Sequence, residues 1–191
     1  MILLLTPTEI ESKYLKLPKP IVHLVCGIGK KAKEIENTLK YKNNIDLVIL
    51  FGCCGLIHDL SFRKLYFVKE WFLNNKSIKI DINNNLFFIG LEFIDKGITT
   101  DRLIKTKNQK QEISNYNIVD LESFYIVELC QKYDLPCAVI RYGIDYCDKK
   151  IMPLGINHFY RKYIHRKMQR KMSLILEALS ANFYGWTENE Y

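Results

Sequence analysis

The stretch Val119–Asp145, VDLESFYIVELCQKYDLPCAVIRYGID, carries two carboxylates, Glu122 and Asp145, that its pattern places at the start of a helix and at the end of a strand. After Asp120, the residues Phe124, Ile126, Val127, Leu129 and Cys130 recur at near-helical spacing, and Leu135–Ile140 is a short apolar run rich in branched side chains. The turn between them, Lys132–Pro136, contains a proline, which cannot continue a helix. A helix followed by a buried strand is the economical reading. In an open α/β sheet, ligands collect beyond the carboxyl ends of strands, and Asp145 is expected at such an end.

Working outward, Ile2–Leu5 reads as a first buried strand running into Thr6-Pro7-Thr8-Glu9. On these residues alone Glu9 is favoured as a first-turn charge beside a Thr8 cap, with a site carboxylate as the alternative. Ile21–Cys26 reads as the second strand, with Gly27-Ile28-Gly29-Lys30 turning into a helix over Lys31–Tyr41. A G-x-G at that point lets main-chain N–H groups approach an anion or a ribose closely. Leu47–Phe51 is a continuous apolar run, read as the third strand, entering Gly52-Cys53-Cys54-Gly55 as a second glycine-bounded turn. Lys64–Phe72 and Ser77–Ile89 alternate like antiparallel strands around a turn at Asn83-Asn84-Asn85, and Gly90–Ile98 reads as a further strand. Lys105–Asn117 is expected to be a surface helix, and Asn157 to roughly Asn182 a long one covering a sheet face. Its stripe is Phe159, Tyr163, Met168, Met172, Ile175, Leu176 and Leu179.

A chain of 191 residues, 48% hydrophobic and 26% charged, is long enough to bury one substantial core and too apolar to be disordered. A single domain over residues 1–191 is expected, of α/β class. No apolar run is long enough to cross a bilayer, and the opening MILLLTPTE has neither a basic start nor a small-residue cleavage site. The net charge of +7 is concentrated between Arg161 and Lys171, which reads as a solvated helix face rather than a nucleic-acid or membrane surface. Six cysteines lie mostly inside apolar runs, as free thiols do in a reducing cytoplasm, and none has zinc-ligand spacing; no metal is expected.

Five segments, Gly27-Ile28-Gly29-Lys30, Gly52-Cys53-Cys54-Gly55, Thr99-Thr100-Asp101, Val119-Asp120-Leu121-Glu122-Ser123 and Arg141-Tyr142-Gly143-Ile144-Asp145, resemble in order the motifs of the purine and uridine phosphorylase superfamily. That superfamily includes methylthioadenosine/S-adenosylhomocysteine nucleosidase, futalosine hydrolase and hopanoid-associated phosphorylase. The resemblance implies a mixed sheet, partly closed into a barrel and flanked by helices. It also implies cleavage of the N-glycosidic bond of a purine nucleoside, with no cofactor, in a cytoplasmic homo-oligomer expected to be a dimer. It places Asp145 as the acid toward purine N7, Glu122 with Leu121 at the ribose, and Leu103, Ile104 and Ile144 at the base. Glu9 falls where the nucleosidases keep a water-activating carboxylate, and Gly27, Gly29, Gly52 and Cys53 form the turns near the nucleophile. Leu103, Leu121 and Ile144 stand where relatives carry an aromatic, a methionine and a serine, and the segment from Phe72 to Ile98 is shorter than usual, leaving Phe159 as an alternative pocket closure.

The phosphorylases hold phosphate with arginines near the first and third strand ends and with a serine in the second glycine turn. Here no arginine precedes Arg63, Leu50 stands before Phe51-Gly52, and Cys53 takes the serine position. A phosphate needs cationic or hydroxyl partners to offset its desolvation, so water is the expected nucleophile. Phosphorolysis, with phosphate as co-substrate and Lys30 or Arg102 as its cation, is the alternative. A non-catalytic nucleoside-binding relative is a further one.

Overall fold

The computed structural model describes residues 1–41, 44–58, 60–61, 63–80, 90–146 and 158–184. Eight strands form one mixed sheet: β1 Ile2–Thr6, β2 Val22–Val25, β3 Leu47–Leu56, β4 Leu65–Leu73, β5 Lys76–Lys79, β6 Leu91–Thr99, β7 Ile118–Asp120 and β8 Cys137–Tyr146. β3 pairs with β7, β7 with β6, β6 with β4, and β8 with both β4 and β3, so these five strands close a ring. β1 and β2 extend the sheet from β3, and β5 extends it from β4. The fold is therefore a mixed α/β one with a partly barrel-like sheet, as the resemblance implies.

Both faces of the central strands are apolar, because both are covered. Leu3, Leu5, Leu50 and Val139 pack with Phe124, Val127 and Cys130 of α3, Ser123–Lys132. The alternate residues Ile2, Leu4, Ile49 and Ile140 pack with Met168, Met172, Ile175, Leu176 and Leu179 of α4, His158–Tyr184. Burying each of those α4 side chains contributes roughly 1.5–3 kcal/mol, enough to hold a helix whose other face is basic. The expected stripe is met by these five residues; Tyr163 is exposed, and the Phe159 side chain lies outside the described residues.

Several boundaries differ from the sequence expectation for local reasons. Lys31–Tyr41 is not one helix: a 3-10 stretch, Gly29–Ile35, precedes the short α1, Glu36–Tyr41. Lys105–Asn117 contracts to α2, Lys107–Glu112, capped by Thr106. β5 is antiparallel to β4 as expected, but β6 returns parallel to β4, and residues 81–89, with the expected asparagine turn, lie outside the described residues.

The largest correction concerns Gly52-Cys53-Cys54-Gly55, which is not a turn. β3 runs straight through it, paired with Arg141–Asp145 of β8 and interrupted by a bulge at Cys54/Gly55. On the other edge of β3, residues Leu47–Leu50 pair with β1 and Gly55–Leu56 pair with β7. Between those partners no strand among the described residues covers the edge. That gap is where the site forms.

Candidate active site

A pocket of about 320 Å³ lies against this gap, its lining drawn from the segment after β1, the middle of β3, the end of β7 and α4. Three of its polar side chains are carboxylates: Glu11, Asp120 and Glu122. All three are buried, and each is held differently.

Glu11 ends a 3-10 turn, Glu9–Glu11, that Thr8 opens. Thr8 and Glu11 stand three apart, the spacing of a reciprocal cap. The Thr8 amide and hydroxyl donate to Glu11 Oε2 across 3.1 and 2.9 Å, and the Cys53 amide donates to Oε1 across 2.7 Å. The uncovered edge of β3 thus finds its acceptor in a side chain. Glu9, two residues earlier, is exposed and is not part of the lining. Glu9, expected at the site, is thus not brought to the pocket: the capping geometry turns Glu11 inward and leaves Glu9 in solvent.

Asp120 ends β7 and anchors the start of α3. It accepts from Thr99 Oγ1 across 2.7 Å and from the amide and hydroxyl of Ser123, and pairs with the Arg141 guanidinium. Asp120 thus does the capping, while Glu122, at the N-cap position, makes no side-chain cap bond and is free to face the pocket. Its Oε1 accepts from the Gly29 amide across 3.3 Å, and its Oε2 lies 3.4 Å from Arg141 Nη2. Gly27 and Gly29 take φ of +87° and +64°, which glycine adopts without a Cβ clash, and this brings the Gly29 N–H to the carboxylate. Burial pushes the Glu122 carboxyl up to about 7, with Arg141 opposing and the Asp120 and Glu11 charges adding to the rise.

Arg141, fully buried on β8, is the hub of the cluster. Its Nε and Nη2 donate to Ser123 Oγ across 3.0 and 2.8 Å, whereas Nη1 has no hydrogen-bond partner among the described residues. Nη1 and Glu11 Oε1 lie 2.5 and 2.9 Å from the point a Cβ on Gly52 would occupy, so Gly52 is what lets them converge on β3. One guanidinium facing Asp120, Glu122 and Glu11 leaves the cluster with surplus negative charge when all three ionise.

Of the other residues singled out from sequence, Leu103, Ile104, Leu121, Ile144 and Cys53 all line the pocket. The main chain of Asp145 pairs with Gly55 at the end of β8; its side chain lies outside the described residues. Lys30 pairs with Asp101 across 3.3 Å, and neither it nor Arg102 is in the lining. Burial raises the Cys53 thiol well above its ordinary range, and the Glu11 charge adds to the rise. Sequence reasoning missed Glu11, Asp120, Ile10, Ile28 and His165 of α4, all in the lining. The Thr8-x-x-Glu11 spacing was the available signal for the first; nothing local marks His165. Among the described residues no group of three or more His, Cys, Asp or Glu side chains is arranged to hold a metal, and no helix is long and apolar enough to cross a membrane.

No protein-family model matches the sequence, and no curated protein sequence matches it. The fold, however, matches solved enzymes over nearly their whole length. A Helicobacter pylori MTAN variant with 5′-methylthioadenosine in its active site superposes with a TM-score of 0.73 at 16% identity, covering 93% of this chain and 98% of that one. Campylobacter jejuni 5′-methylthioadenosine/S-adenosyl homocysteine nucleosidase gives 0.73 at 15% identity over 93% and 97%. Futalosine hydrolase of Helicobacter pylori gives 0.72 at 14% identity over 93% and 97%. The chain has the nucleosidase fold.

Proposed function

We propose that the chain is an N-ribosyl hydrolase that cleaves the N-glycosidic bond of a purine nucleoside with water. The observation that carries this reading is the convergence of Glu11, Asp120 and Glu122 on one pocket beside the edge of β3, with Arg141 buried behind Asp120 and Glu122.

Bond cleavage builds positive charge on the sugar and negative charge on the departing base, so catalysis requires the two charges to be met separately. Glu122, desolvated and backed by Asp120 and Glu11, accepts hydrogen bonds from the ribose hydroxyls and stabilises the electron-poor sugar. Glu11, locked by Thr8 and Cys53, takes a proton from a water. The water oxygen bonds to the anomeric carbon, and the C–N electron pair leaves with the base. Asp145 supplies the proton to the base, as the family resemblance implies. No cofactor takes part.

The absence of a lysine or arginine from the described lining favours water over phosphate. Ile10, Ile28, Leu103 and Ile144 line the pocket yet remain 62, 51, 52 and 37% exposed, which favours a 5′-substituted nucleoside whose apolar group would cover them. Cytoplasmic location is supported by the free state of Cys26, Cys53, Cys54, Cys130 and Cys137. A homodimer is proposed on the resemblance alone. The deciding assay incubates the protein with methylthioadenosine, S-adenosylhomocysteine, futalosine and inosine, with and without phosphate, and measures released base. Release in phosphate-free buffer is expected. Strict phosphate dependence would overturn hydrolysis, and binding without release would favour the non-catalytic relative.

A further inference from the structure

α4 does more than cover the sheet. Gln169, fully buried on it, makes both of its amide hydrogen bonds to the main chain of the segment between β1 and β2. Its Nε2 donates to the Ile10 carbonyl across 2.6 Å, and its Oε1 accepts from the Tyr14 amide. Those two groups stand on either side of Glu11. Neither is used by the turn's own main-chain bonds, which run from Glu11 to Thr8, from Ser12 and Lys13 to Glu9, and from Leu15 to Ser12. A part-buried donor and a part-buried acceptor are met by one uncharged side chain, whose amide carries both an N–H donor and a carbonyl acceptor. His165, one turn earlier on α4, lines the same pocket.

We propose that Gln169 is a positioning residue for Glu11. By fixing the main chain on both sides of Glu11, it aims the carboxylate at the Cys53 amide and into the pocket. This rests on the reading of Glu11 as the carboxylate that activates water. The rest of the α4 clamp lies farther along the segment: Ser173 Oγ accepts from the Lys16 amide across 2.9 Å, and Ser180 Oγ donates to the Lys19 carbonyl across 2.9 Å. Ser173 therefore provides a control of the same kind that does not bracket Glu11.

The test compares Gln169→Met, which keeps the volume and loses both hydrogen bonds, with Ser173→Ala. A misplacement of about 1 Å at a reacting group costs on the order of 10²-fold in rate. Gln169→Met is accordingly expected to lower kcat by roughly 10- to 100-fold with KM within about 3-fold, while Ser173→Ala leaves kcat within about 2-fold at a comparable loss of Tm. Adding Glu11→Gln to Gln169→Met should cost less than Glu11→Gln costs alone. Hydrogen exchange supplies a readout independent of turnover: the Cys53 amide should lose protection in Gln169→Met and keep it in Ser173→Ala. Unchanged protection and kcat in Gln169→Met, or equal loss of kcat in both variants, would overturn the assignment. If Gln169→Met does not fold, Gln169→Asn, which shortens the reach of the same amide, replaces it in every comparison. A wild-type protein that releases no base sinks the hydrolase reading, and the exchange result then decides the positioning claim by itself.

Discussion

The amide of Cys53 donates to Glu11 Oε1 across 2.7 Å, joining a carboxylate from the segment after β1 to the part of the β3 edge that lies between its pairings with β1 and β7. Without that acceptor a part-buried main-chain N–H would be left unpaired, so the same bond that orients the carboxylate also helps to close the sheet. Fold and site are built from one contact.

The first prediction separates Glu11 from its neighbour Glu9. Glu11→Gln should lower kcat for base release by roughly 10²- to 10⁴-fold, the usual range for a lost general base. Glu9→Gln should leave it within about 2-fold, because surface changes away from special contacts act weakly. Steady-state kinetics on both variants checks this, and the reverse ranking would restore Glu9.

Asp145 carries the second. As the acid toward the base, its replacement by Asn should cost roughly 10²- to 10⁴-fold in turnover with little change in Tm. Near-normal release of adenine or hypoxanthine by Asp145→Asn would end that assignment.

Glu122 gives a pH prediction. Its carboxyl is raised by burial from 4.5 to about 7, so between those values the folded state binds a proton that the unfolded chain has released. Its contribution is most favourable below about 4.5 and is lost as pH rises through about 7, a change on the order of 3 kcal/mol. Denaturation of the wild type and of Glu122→Gln across this window should show a steeper decline for the wild type. Parallel profiles would refute the raised carboxyl.

Gly52 supplies a steric prediction. A Cβ there would meet Arg141 Nη1 at 2.5 Å, Glu11 Oε1 at 2.9 Å and Pro7 Cδ at 3.0 Å, and the guanidinium cannot swing away from Asp120 and Ser123. Gly52→Ala should therefore lower stability by about 1–3 kcal/mol, as overpacking does, and reduce turnover beyond what the stability loss explains. Chemical denaturation alongside kinetics tests both halves.

How much of this was legible beforehand varies with the range of the forces involved. Glu122, Leu121, Leu103, Ile104 and Ile144 were placed from the order of short motifs, and all face the pocket. Glu11 was not singled out, and Gly52 was expected in a turn rather than within a strand. The cap spacing Thr8-x-x-Glu11 is local and readable, but whether Glu9 or Glu11 turns inward depends on a β3 amide distant in the chain. Gly52-Cys53-Cys54-Gly55 looks like a turn by composition, because glycine there relieves a tertiary crowding by Arg141 rather than a turn's backbone demand.

By itself the sequence determined the alternation of strands and helices, the two-sided apolar strands, the amphipathic α4 and the neighbourhood of the carboxylates. These follow from periodicity and spacing, which act over a few residues. Only the tertiary structure decided that β3 runs on past its glycines, that β1 and β7 part to leave an edge open, and that Arg141 gathers Asp120 and Glu122 beside Glu11. Hydrogen-bond satisfaction and charge pairing in a buried space set those outcomes, and their partners are far apart in the chain.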